Sequence, residues 1–327
     1  MSENKKFLEI KDLVVEYTSG GDVIHAVNGV SLTLDKGETL GLVGETGAGK
    51  TTIAKSILGI LPDPPAKVRG GEIWVDGEDL LQLSEKSMLS IRGKKISMIF
   101  QDPMTALNPV MSIGSQITEV VALHNKELTH QQAMDRACEM LEMVGIPAER
   151  YVEFPHQFSG GMKQRVVIAM ALACDPMLLL ADEPTSALDV TMQAQVLDMI
   201  NDLKEKFDTS MILITHDLGV VAETCNKVAI IYAGEIVESG TREHLFRHPT
   251  HPYTVGLFNS IPKADSTSRY LDTIPGLPPD PSDLPEGCAF SPRCPYATDA
   301  CRSRKPGMQE IEPGHFCRCI RKTEGRD

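Results

Sequence analysis

Leu40-Gly41-Leu42-Val43-Gly44-Glu45-Thr46-Gly47-Ala48-Gly49-Lys50-Thr51 is the stretch that decides the fold. Its apolar start (Leu40, Leu42, Val43) reads as a strand, and Thr52-Ile53-Ala54-Lys55-Ser56-Ile57-Leu58 behind it reads as a helix. This is the G-x-x-x-x-G-K-[ST] phosphate loop in its strand–loop–helix setting. Glycines at 44, 47 and 49 let the backbone curl so that successive N–H groups face one anion. The helix that follows adds the positive end of its dipole. Lys50 is placed to reach the β- and γ-phosphates, and Thr51 to offer its hydroxyl to Mg²⁺. Glu45, Thr46, Ala48 and Thr52 complete the expected nucleotide loop. The fold class that follows is α/β.

Asp182 and Glu183 carry the matching signal. They end the wholly apolar run Met177-Leu178-Leu179-Leu180-Ala181, and Met211-Ile212-Leu213-Ile214 ends likewise in Thr215-His216. Such runs read as buried parallel strands, whose carboxyl ends are where functional groups collect. An aspartate there can hold Mg²⁺ through water, and a glutamate beside it can polarise the water that attacks a γ-phosphate.

Further strands surround this core. Leu8 to Val15 and Ala26 to Leu34 alternate with period two, with Asn28-Gly29 as a turn. Gly70 to Gly77 is a short strand between glycines, so an antiparallel layer is expected. From about Asp102 to Ala173 the pattern is helical, with Ala133, Ala137, Met140, Leu141 and Val144 on one face. Val228 to Tyr232 and Glu235 to Glu238 predict a hairpin turning at Ala233-Gly234. Beyond Thr241, prolines 275, 278, 279, 281 and 285 predict an irregular appendage.

Bulk properties narrow the function. The 327 residues suffice for one large or two ordinary domains. No apolar run reaches the roughly 18 residues that span a bilayer, and Met1 to Lys6 lacks a secretory leader. A net charge of −13 argues against a nucleic-acid surface. A cytoplasmic protein is expected, tied to membranes only through partners.

Phe158-Ser159-Gly160-Gly161-Met162-Lys163-Gln164-Arg165 resembles the signature of ABC ATPases, usually Leu-Ser-Gly-Gly-Gln, with Phe and Met at the two outer positions. The resemblance implies an ABC-type fold: a RecA-like core, an antiparallel β subdomain and a helical subdomain near 102–175, together 1–240. It implies a head-to-tail dimer in which Ser159, Gly160 and Gly161 cap the nucleotide held by the other subunit. Gln101 then resembles the Q-loop glutamine that serves Mg²⁺ and the membrane partner. Ser186-Ala187-Leu188-Asp189 resembles the D-loop, His216 the switch histidine at the γ-phosphate, and Tyr17 the A-loop aromatic on adenine. The resemblance also implies that Asp182 and Thr51 hold the metal and that Glu183 is the base.

The chain resembles, more narrowly, the ATPases of oligopeptide and dipeptide permeases. Ala187-Leu188-Asp189-Val190-Thr191, His251-Pro252-Tyr253-Thr254, Ile274-Pro275-Gly276, Gly287-Cys288 and Arg293-Cys294-Pro295 carry this likeness. Nickel and glutathione importers share it. It implies a paralogous ATPase as dimer mate, two transmembrane permease subunits, an extracytoplasmic peptide-binding protein, and a place at the cytoplasmic face of the inner membrane. Soluble ABC ATPases acting on DNA or ribosomes usually have paired cassettes or long coiled-coil insertions, and this chain has neither. A metal-binding module with a dead cassette is the other alternative, against which Glu183 and His216 stand intact.

Five of the eight cysteines crowd the last forty residues. Cys288, Cys294, Cys301 and Cys319 are separated by five, six and seventeen residues, wider than zinc modules usually show. The family likeness implies a 4Fe–4S cluster in this extension, 241–327. The family ending His-x-Val-x-Cys places Cys319 as fourth ligand. Cys317, standing where Val is usual, is the alternative.

Overall fold

The computed structural model describes residues 6–186, 188–260 and 273–323. The readings of Met1 to Lys5 and of Ala187 lie outside them. Twelve strands follow in chain order: β1 Leu8–Ser19, β2 Asp22–Leu34, β3 Thr39–Val43, β4 Ala66–Val75, β5 Glu78–Asp79 and β6 Ile96–Ile99. Then come β7 Leu178–Asp182, β8 Ser210–Thr215, β9 Lys227–Tyr232, β10 Glu235–Thr241, β11 Gln309–Glu312 and β12 His315–Cys317. The chain forms two compact units. One takes the described parts of Met1–Leu34, Leu40–Leu81 and Thr215–Asp327, the other Asp35–Thr39 and Gln82–Ile214.

In the first unit β2, β1, β4 and β5 make an antiparallel sheet in that order. Leu8 and Ile10, then Leu13 and Val15, are buried in β1, so period-two alternation holds on each side of an irregularity at Asp12. The β1–β2 turn lies at Gly20-Gly21, not at Asn28-Gly29 as expected. Gly29 instead makes a bulge. Leu13 pairs with Val30 and Val14 with Asn28, so β2 accommodates one extra residue, and Gly29 takes the positive φ of 73° this needs. Strands β9 and β10 form the expected hairpin, with Ala233 and Gly234 both at positive φ. Strand β3 pairs in parallel with β9.

Only part of the extension is the irregular appendage that its prolines predict: residues 273–298, where those prolines stand, hold no helix or strand, but the extension is regular on either side. It forms helices Arg242–Arg247 and Pro252–Asn259, capped by Thr241 and His251, and its β12 pairs antiparallel with β10. The reason is a buried carboxylate. Glu238 of β10 accepts from the N–H groups of Thr250 and His251, each at 2.8 Å, and meets His315 Nε2 at 2.8 Å. A buried charge needs such partners, so these three segments are bound to one another.

In the second unit β6, β7 and β8 are parallel, and every residue of the three strands is buried. Helices Ile113–His124, His130–Met143 and Gly160–Leu172 start at Ser112, Thr129 and Ser159, whose side chains accept backbone N–H bonds. Ala133, Ala137, Met140 and Leu141 are buried on the face predicted. Among the described residues no helix is long and apolar enough to cross a membrane.

Candidate functional site

The first unit holds the phosphate loop, between β3 and the helix Lys50–Leu58. A Cβ at Gly44 would lie 2.2 Å from the Ile231 carbonyl oxygen, and one at Gly49 would lie 2.3 Å from that of Ala26. Backbone packing alone therefore excludes side chains at both glycines. Gly234 donates its N–H to the Ala48 carbonyl at 3.1 Å, which ties the loop to the β9–β10 turn. The buried Lys50 folds back over the loop, its Nζ donating to the carbonyls of Gly44 (2.7 Å) and Glu45 (3.0 Å). Its ammonium is thereby held within the cradle. Thr51 and Thr52 are half-buried on the first turn, and Tyr17 Oη lies 3.3 Å from Thr52 Oγ1. Thr46 and Gly47 are exposed at the loop tip. His216 is exposed just after β8, before the helix Leu218–Thr224 that Asp217 caps.

The second unit brings three predicted residues to the end of β7. Asp182 is buried as its last residue. Glu183 follows in the left-handed region at φ 48°, a backbone strain of the kind held at functional sites, and its N–H donates to Ile214 O at 2.8 Å. Gln101 donates Nε2 to Glu183 Oε2 at 3.0 Å. Ser159 caps the helix Gly160–Leu172 through Met162 N–H, with Ser159 and Gly160 both exposed. Both departures from the usual signature meet one side chain. The Arg150 guanidinium lies over the Phe158 ring, 4.2 Å from its centre, and Arg150 Nη1 reaches Met162 Sδ at 3.5 Å. Asp189 caps the helix Val190–Lys206 by accepting from Met192 N–H at 2.9 Å.

Sequence reading missed two residues of the first unit. Arg293, buried, reaches both carboxylate oxygens of Glu45 through Nη1, at 3.1 and 2.9 Å. Tyr253, fully buried, accepts the Glu45 N–H at 3.1 Å. Arg293-Cys294-Pro295 and His251-Pro252-Tyr253 marked family likeness, but nothing in the sequence joins either residue to a loop more than 200 positions earlier.

Cys288, Cys294, Cys301 and Cys319 line one small pocket with His251 and Phe290. Burial pushes the Cys288 thiol up to about 11, with the Cys319, Cys294 and Cys301 thiols adding to it. Cys317 is fully buried on β12 and does not line the pocket. Among the described residues no group of three or more His, Cys, Asp or Glu stands ready to hold a metal ion. The cluster expected at these cysteines is therefore not supported by metal-ligand geometry.

Residues 27–186 match the family model "ABC transporter", and 237–301 match "Oligopeptide/dipeptide transporter, C-terminal region". The oligopeptide transport ATP-binding protein OppD of Bacillus subtilis (strain 168) is 51% identical over 314 residues, 95% of this chain and 87% of that one. The chain belongs to this family of ABC transporter ATP-binding proteins. OppD of Haemophilus influenzae is 50% identical, covering 97% of this chain and 98% of its own. The dipeptide transport protein DppD of Bacillus subtilis is 49% identical, covering 96% and 94%.

The ABC ATPase fold is also shared with a solved dimer of the ATP-binding cassette MJ0796, in a post-hydrolysis state bound to ADP and Pi. That structure has a TM-score of 0.65 and 27% identity, and covers 72% of this chain and 98% of that one. The matched C-terminal region of this ABC protein includes Cys288, Cys294 and Cys301, while Cys319 lies beyond it.

Proposed function

We propose that this chain binds and hydrolyses ATP as a subunit of an importer for dipeptides or oligopeptides, the cargoes for which its relatives are named. The observation that carries the ATP reading is the phosphate loop, with Lys50 Nζ held over it by the Gly44 and Glu45 carbonyls at a helix start. Tyr17 stacks on adenine. Lys50 and His216 stabilise γ-phosphate charge. Asp182, Thr51 and Gln101 serve Mg²⁺, which neutralises phosphate charge when bound. Glu183 orients and deprotonates the attacking water, and Gln101, at 3.0 Å, holds its carboxylate in place. Ser159, Gly160 and Gly161 cap the nucleotide of a paralogous partner ATPase. The exposure of Ser159 and Gly160 at a helix start supports that reading.

The remaining partners are two permease subunits and an extracytoplasmic peptide-binding protein, which place this chain at the cytoplasmic face of the inner membrane, away from nucleic acid. The domain limits proposed are 1–240 for the cassette, with its helical part at about 102–175, and 241–327 for the extension. In that extension Cys288, Cys294, Cys301 and Cys319 hold a 4Fe–4S cluster. What supports this is the likeness of the extension to the peptide-transporter C-terminal region, not metal-ligand geometry among the described residues.

Transport is tested by purifying the chain with its membrane partners and measuring ATP hydrolysis in proteoliposomes. Stimulation by peptide-loaded binding protein is expected. Stimulation by nickel or glutathione alone would change the cargo, and failure to copurify with membrane subunits would overturn the transport role.

A further inference from the structure

The phosphate loop contains a carboxylate that opposes its task. Backbone N–H groups and Lys50 make the loop a cradle for anions, yet Glu45 places a negative charge in its second position. A nucleotide triphosphate would meet that charge at close range, where a partly buried site screens poorly. The structure supplies the answer from the C-terminal region. Arg293 reaches both Glu45 oxygens, its side chain only 6% exposed and that of Glu45 27%. It donates further, from Nε to the Pro275 carbonyl (3.0 Å), from Nη2 to that of Ile274 (3.4 Å), and from Nη1 to Tyr232 Oη (3.3 Å). A guanidinium held on so many sides is a fixed charge rather than a mobile one.

Two more contacts hold the same place. The Glu45 N–H points at Tyr253 Oη and so is turned away from the cradle. Tyr253 is itself locked against Tyr232, ring centres 4.6 Å apart, and against Phe290 at 5.4 Å. Pro278, Pro279 and Pro281 share a small pocket with Glu45, Thr46 and Gly47, and His25 donates its N–H to Pro281 O at 2.9 Å.

We propose that Arg293 is a positioning residue for nucleotide binding: by neutralising and pinning Glu45, the C-terminal region sets the affinity of the phosphate loop for the β- and γ-phosphates. This rests on the reading that ATP binds at Lys50. The proline-rich region is then part of the nucleotide site, although it touches the loop from outside. The dependence follows phosphate charge, so ATP should feel the loss of Arg293 more than ADP, and adenosine hardly at all.

The test is nucleotide affinity of the full chain, measured by titration calorimetry with ATP, ADP and adenosine. Arg293→Met should weaken ATP about tenfold, the size expected when one partly buried charge is left uncompensated beside an anion. Adding Glu45→Gln to Arg293→Met should bring ATP affinity back to within about threefold of wild type, because the repelling charge is gone. If Arg293→Met does not fold by circular dichroism, Arg293→Gln replaces it, keeping a donor for the Pro275 carbonyl without the charge. Unchanged ATP affinity in the single variant, an equal loss for adenosine, or a double variant as weak as the single would each overturn the proposal. Lys50→Ala, measured alongside, separates the two levels. Wild-type affinity in that variant would sink the ATP reading itself, while its loss leaves Arg293 as the only question.

Discussion

Gln101 and Glu183 share a hydrogen bond of 3.0 Å between an amide nitrogen and a carboxylate oxygen, although 82 positions separate them in the chain. Parallel strands β6 and β7 make this possible, since Gln101 follows one and Glu183 follows the other in the same direction. The bond fixes which way the carboxylate faces. Glu183 is further held at φ 48° by its N–H bond to Ile214. A carboxylate so constrained has the fixed direction that the proposed base role needs.

Glu183→Gln should therefore leave ATP affinity intact and lower turnover by about 100-fold or more, the range of a lost general base. The ATP-bound closed complex should accumulate. Turnover within a few-fold of wild type in the assembled transporter would remove Glu183 from the base role.

Lys50→Ala should act earlier, on binding. The Lys50 ammonium is held at the loop by two carbonyls, and on the proposed reading its loss removes the main side-chain charge for the β- and γ-phosphates. Filter binding should show a fall in ATP affinity of at least about tenfold. Stability should change little by comparison, since a water molecule can serve the freed carbonyls.

Ser159 has a structural duty as well as the proposed one, because it caps the helix Gly160–Leu172. Ser159→Ala should cost about 1 kcal/mol of stability. Ser159→Asp keeps a good cap but sets a negative charge where a partner's phosphate would sit. It should remain as stable as wild type, bind ATP normally as an isolated chain, and fail to hydrolyse it in the complex. Full hydrolysis by Ser159→Asp would end the proposal that the signature acts on a partner's nucleotide.

Glu238 has no exposure and makes three hydrogen bonds, to two other segments of the first unit. Glu238→Ala strands the Thr250 and His251 N–H groups and His315, and should destabilise the chain by about 3 kcal/mol or more. Limited proteolysis should then cut the extension first. Glu238→Gln keeps acceptor capacity and should be markedly milder.

The cysteine pocket gives the last expectation. Protein purified without oxygen should be brown and carry about four irons per chain if the four thiols hold a cubane. Cys319→Ser should bleach it and Cys317→Ser should not, since Cys319 lines the pocket and Cys317 is buried on β12 outside it. Colourless, iron-free wild-type protein would remove the cluster.

What the sequence determined by itself was everything written in local periodicity and short motifs. The run Leu40 to Leu58 specified strand, loop and helix because glycine placement and apolar spacing act over neighbouring residues. The same holds for β7, the β9–β10 turn and the apolar face of His130–Met143. Tertiary structure decided the rest. Gly29 reads as a turn in one dimension, yet its positive φ serves a bulge that only the β1 partner reveals. The proline stretch of the extension is irregular as read, because prolines break local patterns, yet β12 and Glu238 tie its flanking segments to partners far away in the chain. Arg293 and Glu45, 248 positions apart, show the limit most plainly. A charge pair leaves no periodic trace in a sequence, and only a folded backbone sets the two side chains within bonding distance.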